Sequence, residues 1–203
     1  MNTIRSVCVY CGSSPGRGGV YTEAGHTLGR AMAEAGMRLV YGGGTKGIMG
    51  AVAEGALSAG GGVTGIIPRF LISKERTAAE LDRLDELITT DDMHERKHIM
   101  FERSDAFVAL PGGIGTLEEI VEIMTWAQLG RHRKPIVFAN VDGFWNPMIT
   151  LLDHMREEGF VHTGHLVQPL IIDAVEDIVP GLIEAGRETA ADAEGDEAVI
   201  GRL

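Results

Sequence analysis

Seven short apolar runs, separated by longer amphipathic stretches, constrain the fold of this chain more than any other feature. They are "SVCVY" (6–10), "RLVY" (38–41), "GVTGII" (62–67), "ELIT" (86–89), "AFVAL" (106–110), "PIVFANV" (135–141) and "LII" (170–172). Helical spacing of apolar residues occupies roughly 19–35, 47–59, 92–104, 115–129, 146–158 and 175–186. Strands that are apolar without alternation need cover on both faces, and helices between them supply it. The pattern predicts an α/β fold: one doubly wound, Rossmann-like domain with a mainly parallel sheet flanked by helices. At 203 residues the chain is long enough to bury a full core in one such domain. Ligands of this architecture bind beyond the carboxyl ends of the strands.

The domain is expected to span residues 1–186. The stretch 187–203, "RETAADAEGDEAVIGRL", is acidic and rich in Ala and Gly, and is expected to be a disordered tail. Residues 68–85 are charged and poorly periodic, and read as a partly helical excursion over the mouth of the site. A net charge of -11 and the lack of a Lys/Arg block argue against a nucleic-acid surface. With 44% hydrophobic residues and no long apolar run, a membrane partner is not expected. The N-terminal apolar run is too short for a signal peptide, so the expected location is the cytoplasm. Cys8 and Cys11 form a C-x-x-C, but Cys8 lies in a strand, where residues three apart point to opposite faces. A redox pair would sit at a helix N-terminus instead.

Three of the strand ends carry Gly/Ser turns: "YCGSSPG" (10–16), "YGGGTKGIMG" (41–50) and "LPGGIGT" (110–116). In a parallel sheet all three fall on one edge, which makes an amide-lined crevice of nucleotide size. "GGGTKG" (42–47) satisfies G-x-G-x-x-G, yet the next strand ends "GIIPRF" without the acid that would hold a dinucleotide ribose. It is not a Walker A loop, because no Gly-Lys-Ser/Thr closes it. "HERKH" (94–98) is a literal H-E-x-x-H, with His94, Glu95 and His98 on one helix. Arg96 and Lys97 would put positive charge beside a dication. Neither His132, His154, His162 nor His165 is an obvious third ligand, so no metal is expected.

Two features remain. "MHERK" (93–97) fits M-H-x-R-K, and "PGGIGTLEE" (111–119) fits P-G-G-x-G-T-x-x-E. Together they resemble the motifs of the Lonely Guy (LOG) family, the cytokinin riboside 5′-monophosphate phosphoribohydrolases. "CGSS", "YGGGTKGIMG", "TWAQLG" (125–130) and "NVDGFWNPM" (140–148) are similar to other segments of that family, in order, from about residue 6 to about residue 170. Residues 76–88 look a few positions longer than the family's usual connection. The resemblance implies hydrolysis of the N-glycosidic bond of an N6-modified adenosine 5′-monophosphate, giving free base and ribose 5-phosphate. It implies a small nucleotide substrate, no cofactor and a homodimer. It also makes Glu95 the motif's variable position, and the zinc pattern accidental.

Elementary chemistry agrees. Cleavage at C1′ builds positive charge on the sugar, which asks for an anion beside it and anion-binding groups at the phosphate. The turn Gly112, Gly113, Ile114, Gly115, Thr116 offers amides, a hydroxyl and a helix N-terminus. Gly12, Ser13, Gly43 and Gly44 of the other turns are candidates for the same phosphate and ribose. Glu119, one turn into the helix, can face the ribose and orient water, with Glu118 second to it. Family similarity favours Arg96 and Glu119 as the catalytic pair, with Lys97 neutralising phosphate and Met93 and Glu75 at the base. Acids in a first helical turn also offset the macrodipole without any catalytic role, and for Glu118 the two readings are balanced. The rival functions are a non-catalytic nucleotide or cofactor carrier on the same fold and, more remotely, the zinc hydrolase.

Overall fold

The structure, a computed structural model, describes residues 4–75, 84–161 and 168–200. Its strands are β1 (Ser6–Tyr10), β2 (Arg38–Tyr41), β3 (Val63–Pro68), β4 (Glu86–Thr90), β5 (Ala106–Ala109), β6 (Ile136–Ala139) and β7 (Leu170–Ile172). Among the described residues seven helices alternate with them: α1 (Val20–Glu34), α2 (Gly47–Ser58), α3 (Arg69–Glu75), α4 (Met93–Glu102), α5 (Ile114–Gln128), α6 (Asn146–Glu157) and α7 (Ile178–Ile200). The strands form one sheet in the order β4-β3-β2-β1-β5-β6-β7. Every pair is parallel, with Val9 facing Tyr41 of β2 on one side and Val108 of β5 on the other.

The alternation of β1 divides the core. Val7, Val9 and Cys11 join the cluster that α1, α2 and α7 cover. Cys8 and Tyr10 join the opposite cluster with Met100 and Phe101 of α4, Ile120 and Ile123 of α5, and Trp145. The central strands β2, β5 and β6 are buried from Leu39, Ala106 and Ile136 onward, as sheet faces covered on both sides require. Both cysteines are free and buried, on opposite faces, and burial pushes both thiols well above their usual range. That environment removes the redox reading of the C-x-x-C.

The charged segment after β3 is helical over Arg69–Glu75, while residues 76–83 lie outside the described residues. The final helix is assigned over Ile178–Ile200. It continues into the acidic stretch that begins at residue 187. Ala and Glu are strong helix formers, so "ETAADAEGDEA" extends the helix despite its low hydrophobicity.

Candidate active site

The strand order reverses between β1 and β5, because β1 leads outward to β2 on one side and its other neighbour is β5. A crevice opens at the carboxyl ends of such a pair. Here the turns after β1 and β5 meet glycine to glycine. Gly12 N–H donates to Pro111 O at 3.1 Å, and Leu110 N–H to Tyr10 O at 2.9 Å. A Cβ on Gly12 would stand 3.3 Å from Gly112 Cα, and one on Gly112 would strike Thr116 Oγ1. Side chains at either position would push the two turns apart.

The glycine-rich helix starts are not equivalent. At α2, Met49 N–H donates to Gly12 O at 3.1 Å, so the first turn of that helix is capped by the β1 turn. Gly43 and Gly44 are buried, and a Cβ on Gly43 would lie 3.1 Å from Ile67 Cβ. Gly43 thus packs against β3. At α5, Gly113 is the N-cap without a side-chain cap, and Gly113, Ile114 and Gly115 are exposed. Thr116 is buried beneath them. Gly12 uses both main-chain groups in stitching the loops, and Ser13 is exposed beside it.

Helix α4 begins with a reciprocal cap. Asp92 Oδ1 accepts from Glu95 N–H, and Glu95 Oε2 accepts from Asp91 N–H, each at 2.8 Å. Glu95 is therefore a capping residue, and His94 and His98 are exposed. Among the described residues no group of three or more His, Cys, Asp or Glu could hold a metal ion; His162 and His165 lie outside them.

Arg96 is buried, at 5% exposure. Its Nε donates to Ile66 O at 3.1 Å and its Nη2 to Gly42 O at 3.1 Å, with Nη1 3.6 Å from Met93 Sδ. The guanidinium is thus fixed to the carboxyl ends of β2 and β3, where a Cβ on Gly42 would collide with it. Met93 is half-buried at the same place, and the Glu75 side chain lies outside the described residues. Glu119 is half-buried on the first turns of α5. Burial dominates the raised pKa of Cys8 and of Cys11, but both thiols also feel Glu119, which raises them, and Arg96, which lowers them. Glu119 likewise adds to the rise that burial imposes on Tyr10. Glu119 and Arg96 therefore both lie within electrostatic reach of the carboxyl half of β1.

Lys97 reaches from α4 to α5. Its Nζ donates to Glu118 Oε1 at 2.5 Å and to Glu122 Oε1 at 3.1 Å. The lysine side chain is 10% exposed, against 51% for Glu118 and 26% for Glu122. Burial pulls its pKa down, but the bonds and charges of the two carboxylates outweigh burial and leave it raised. Lys97 is thus engaged by protein carboxylates, and Glu118 is its partner. Glu122 was not singled out from the sequence. The only signal was its spacing of four from Glu118, which puts both on one helix face.

A family model described as "Possible lysine decarboxylase" matches residues 49–182. A cytokinin riboside 5′-monophosphate phosphoribohydrolase of Arabidopsis thaliana is 47% identical over 157 residues, which are 77% of this chain and 68% of that protein. A protein of the same name from Rhodococcoides fascians is 40% identical over 180 residues, 89% of this chain and 90% of its own. The molybdenum cofactor carrier protein of Chlamydomonas reinhardtii superposes with a TM-score of 0.65 at 20% identity, covering 89% of this chain and 97% of that one. At that identity the likeness speaks for the fold alone.

Proposed function

The chain belongs to the Lonely Guy (LOG) family, and we propose that it hydrolyses the N-glycosidic bond of cytokinin nucleotides, N6-modified adenosine 5′-monophosphates, releasing free base and ribose 5-phosphate. The observation that carries this reading is the first turn of α5 at the β1/β5 crevice. Its open amide end and Glu119 stand within one helical turn of each other. An anion at the helix N-terminus would hold the 5′-phosphate. Glu119 would then face the ribose, stabilise the positive charge growing at C1′, and orient the water that attacks there. The C1′–N bond breaks as the water oxygen bonds to C1′; the base departs with the electron pair and takes up a proton. Arg96, held by two main-chain carbonyls, is a fixed cation on the far wall of the crevice. It can hydrogen-bond the leaving base or hold Glu119 in place.

The name of the matched family model suggests a decarboxylation that no residue of this site supports. The carrier reading, which the fold alone would allow, has no use for the Glu119/Arg96 pair. Glu119→Gln and Arg96→Ala test the assignment, with free base measured by chromatography from N6-isopentenyl-AMP and from AMP. Each variant should lose ~10²–10³ in kcat while keeping its thermal transition, and Glu118→Gln should lose much less. Near-normal kcat in Glu119→Gln would remove Glu119 from the chemistry.

The working form is proposed to be a cytoplasmic homodimer. Helix α6 has no buried residue, and Leu151 and Met155 on it are exposed. On α5, Ile120 and Ile123 are buried, but Val121 and the following Leu129 are exposed, as is Phe160 after α6. A second copy of this surface would cover these side chains. Among the described residues no helix is long and apolar enough to cross a membrane.

A further inference from the structure

Lys97 follows Arg96 directly in α4, and Glu118 directly precedes Glu119 in α5, so each end of this ion cluster is the chain neighbour of a proposed catalytic residue. The cluster joins α4 to α5 near the crevice; towards the last turns of both helices the rings of Phe101 and Trp126 pack in a T, with centroids 5.0 Å apart. The ion cluster adds a tie at the site-proximal ends to the apolar packing of Met100 and Phe101 with Ile120 and Ile123. Near the site, Lys97 Nζ grips Glu118 at 2.5 Å and Glu122 at 3.1 Å. Those two carboxylates lie one turn apart on the same face of α5, and Glu119 is about 100° around the axis from Glu118. Holding residues 118 and 122 therefore fixes the rotation of α5, and with it the direction in which Glu119 points.

We propose that Lys97 is a positioning residue: its ammonium clamps Glu118 and Glu122 and so sets Glu119 of α5 against Arg96 of α4, without touching substrate. The inference rests on the proposed hydrolysis. A misplacement of a catalytic group by ~1 Å costs on the order of 10²-fold in rate, so the clamp belongs to turnover as well as to stability.

The test compares the full-length chain with Lys97→Met and with the neutral triple variant Lys97→Met/Glu118→Gln/Glu122→Gln. Each is assayed for kcat and KM on N6-isopentenyl-AMP, for thermal stability, and for amide hydrogen exchange over residues 114–122. Lys97→Met leaves two carboxylates facing each other and should lose both stability and ~10²-fold in kcat, with KM little changed. The triple variant removes the repulsion and should recover stability but not kcat. In both, exchange over residues 114–122 should quicken while residues 123–128 keep their protection. Recovery of kcat in the triple variant would reduce the cluster to a stability device. Raised KM with unchanged kcat in Lys97→Met would make Lys97 a phosphate ligand. Either result overturns the proposal, as does unchanged exchange. The exchange measurement does not depend on catalysis. If the wild type cleaves no nucleotide yet its exchange responds as described, the clamp stands and the hydrolase reading fails.

Discussion

Replacing the substrate's 5′-phosphate by a hydroxyl should cost this protein about a thousandfold in kcat/KM. The magnitude follows from the start of α5. The first intrahelical bond runs from Leu117 N–H to Gly113 O at 3.0 Å, so the amides of Ile114, Gly115 and Thr116 precede the helical ladder. A Cβ on Gly113 or Gly115 would meet nothing within 4 Å, which leaves room for an oxyanion over that turn. Each hydrogen bond to a charged group contributes ~1.5–3 kcal/mol, and the helix end adds ~0.3–1 kcal/mol. Two such bonds give roughly 4 kcal/mol, and each ~1.4 kcal/mol is tenfold. The anchor also fixes C1′ against Glu119, so the loss should fall on kcat as well as KM. The assay sets N6-isopentenyladenosine, its monophosphate and its triphosphate side by side at equal concentration, with free base quantified by chromatography. The triphosphate should also be poor, because its extra charge extends beyond the turn. Comparable kcat/KM for nucleoside and monophosphate would refute the phosphate site and, with it, the placement of Glu119.

Three further outcomes are expected. Light scattering at micromolar concentration should give a dimer; a monomer would mean that the exposed face of α5 and α6 needs another account. Turnover should be undiminished in excess chelator, whereas stoichiometric zinc, with activity lost on its removal, would bring His94 and His98 back into the chemistry. The third concerns His132, which is buried with Nε2 3.0 Å from Ile123 O, while Lys134 N–H donates to Nδ1 at 3.1 Å. Burial lowers its pKa below 6.5, and the carbonyl of Ile123 opposes that while the charges of Lys134 and Arg131 assist it. The unfolded chain then binds a proton that the folded chain refuses. Stability from this group is complete above the unfolded pKa of 6.5 and declines as pH falls through 6.5 towards the folded value. Urea midpoints at pH 7.5 and 5.5 should show a fall that His132→Gln lessens; an equal fall in both proteins would assign the loss to other groups.

The sheet was legible because its signal is redundant. Each apolar run of "SVCVY", "RLVY" and "LII" coincides with a strand residue for residue. The run 135–141 was read too long. Asn140 leaves the strand to accept from Trp145 N–H and to donate to Asn146 and Asp173, and a 3-10 turn follows over Val141–Gly143. Apolar character does not reveal such a polar junction. The shared edge of the three glycine turns could be read from strand alternation, because parallel strands present all their carboxyl ends together. The difference between those turns could not. That α2 is capped by Gly12 O while α5 has no side-chain cap depends on strand neighbours far apart in sequence. The partners of Lys97 lie 21 and 25 residues away across two helices, beyond any local pattern.

That partnership would explain why two carboxylates follow the proposed phosphate turn. An anion bound at the start of α5 would meet both Glu118 and Glu119 within the next helical turn. Two like charges at 4 Å repel by ~4 kcal/mol at an effective dielectric of 20, as much as the whole phosphate anchor. One such carboxylate would have a use in the proposed hydrolysis, where cationic charge develops on the ribose between it and the phosphate. A second, uncompensated, would oppose binding without aiding the reaction. Lys97 resolves the conflict by drawing Glu118 into a charge-assisted bond at 2.5 Å and Glu122 into another at 3.1 Å. The cluster carries one net negative charge instead of two, and Lys97 holds that charge on the α4 side of α5. On the proposed reading the doubled acid of "GTLEE" divides its labour: Glu118 would anchor the helix, and Glu119 would be left for the sugar.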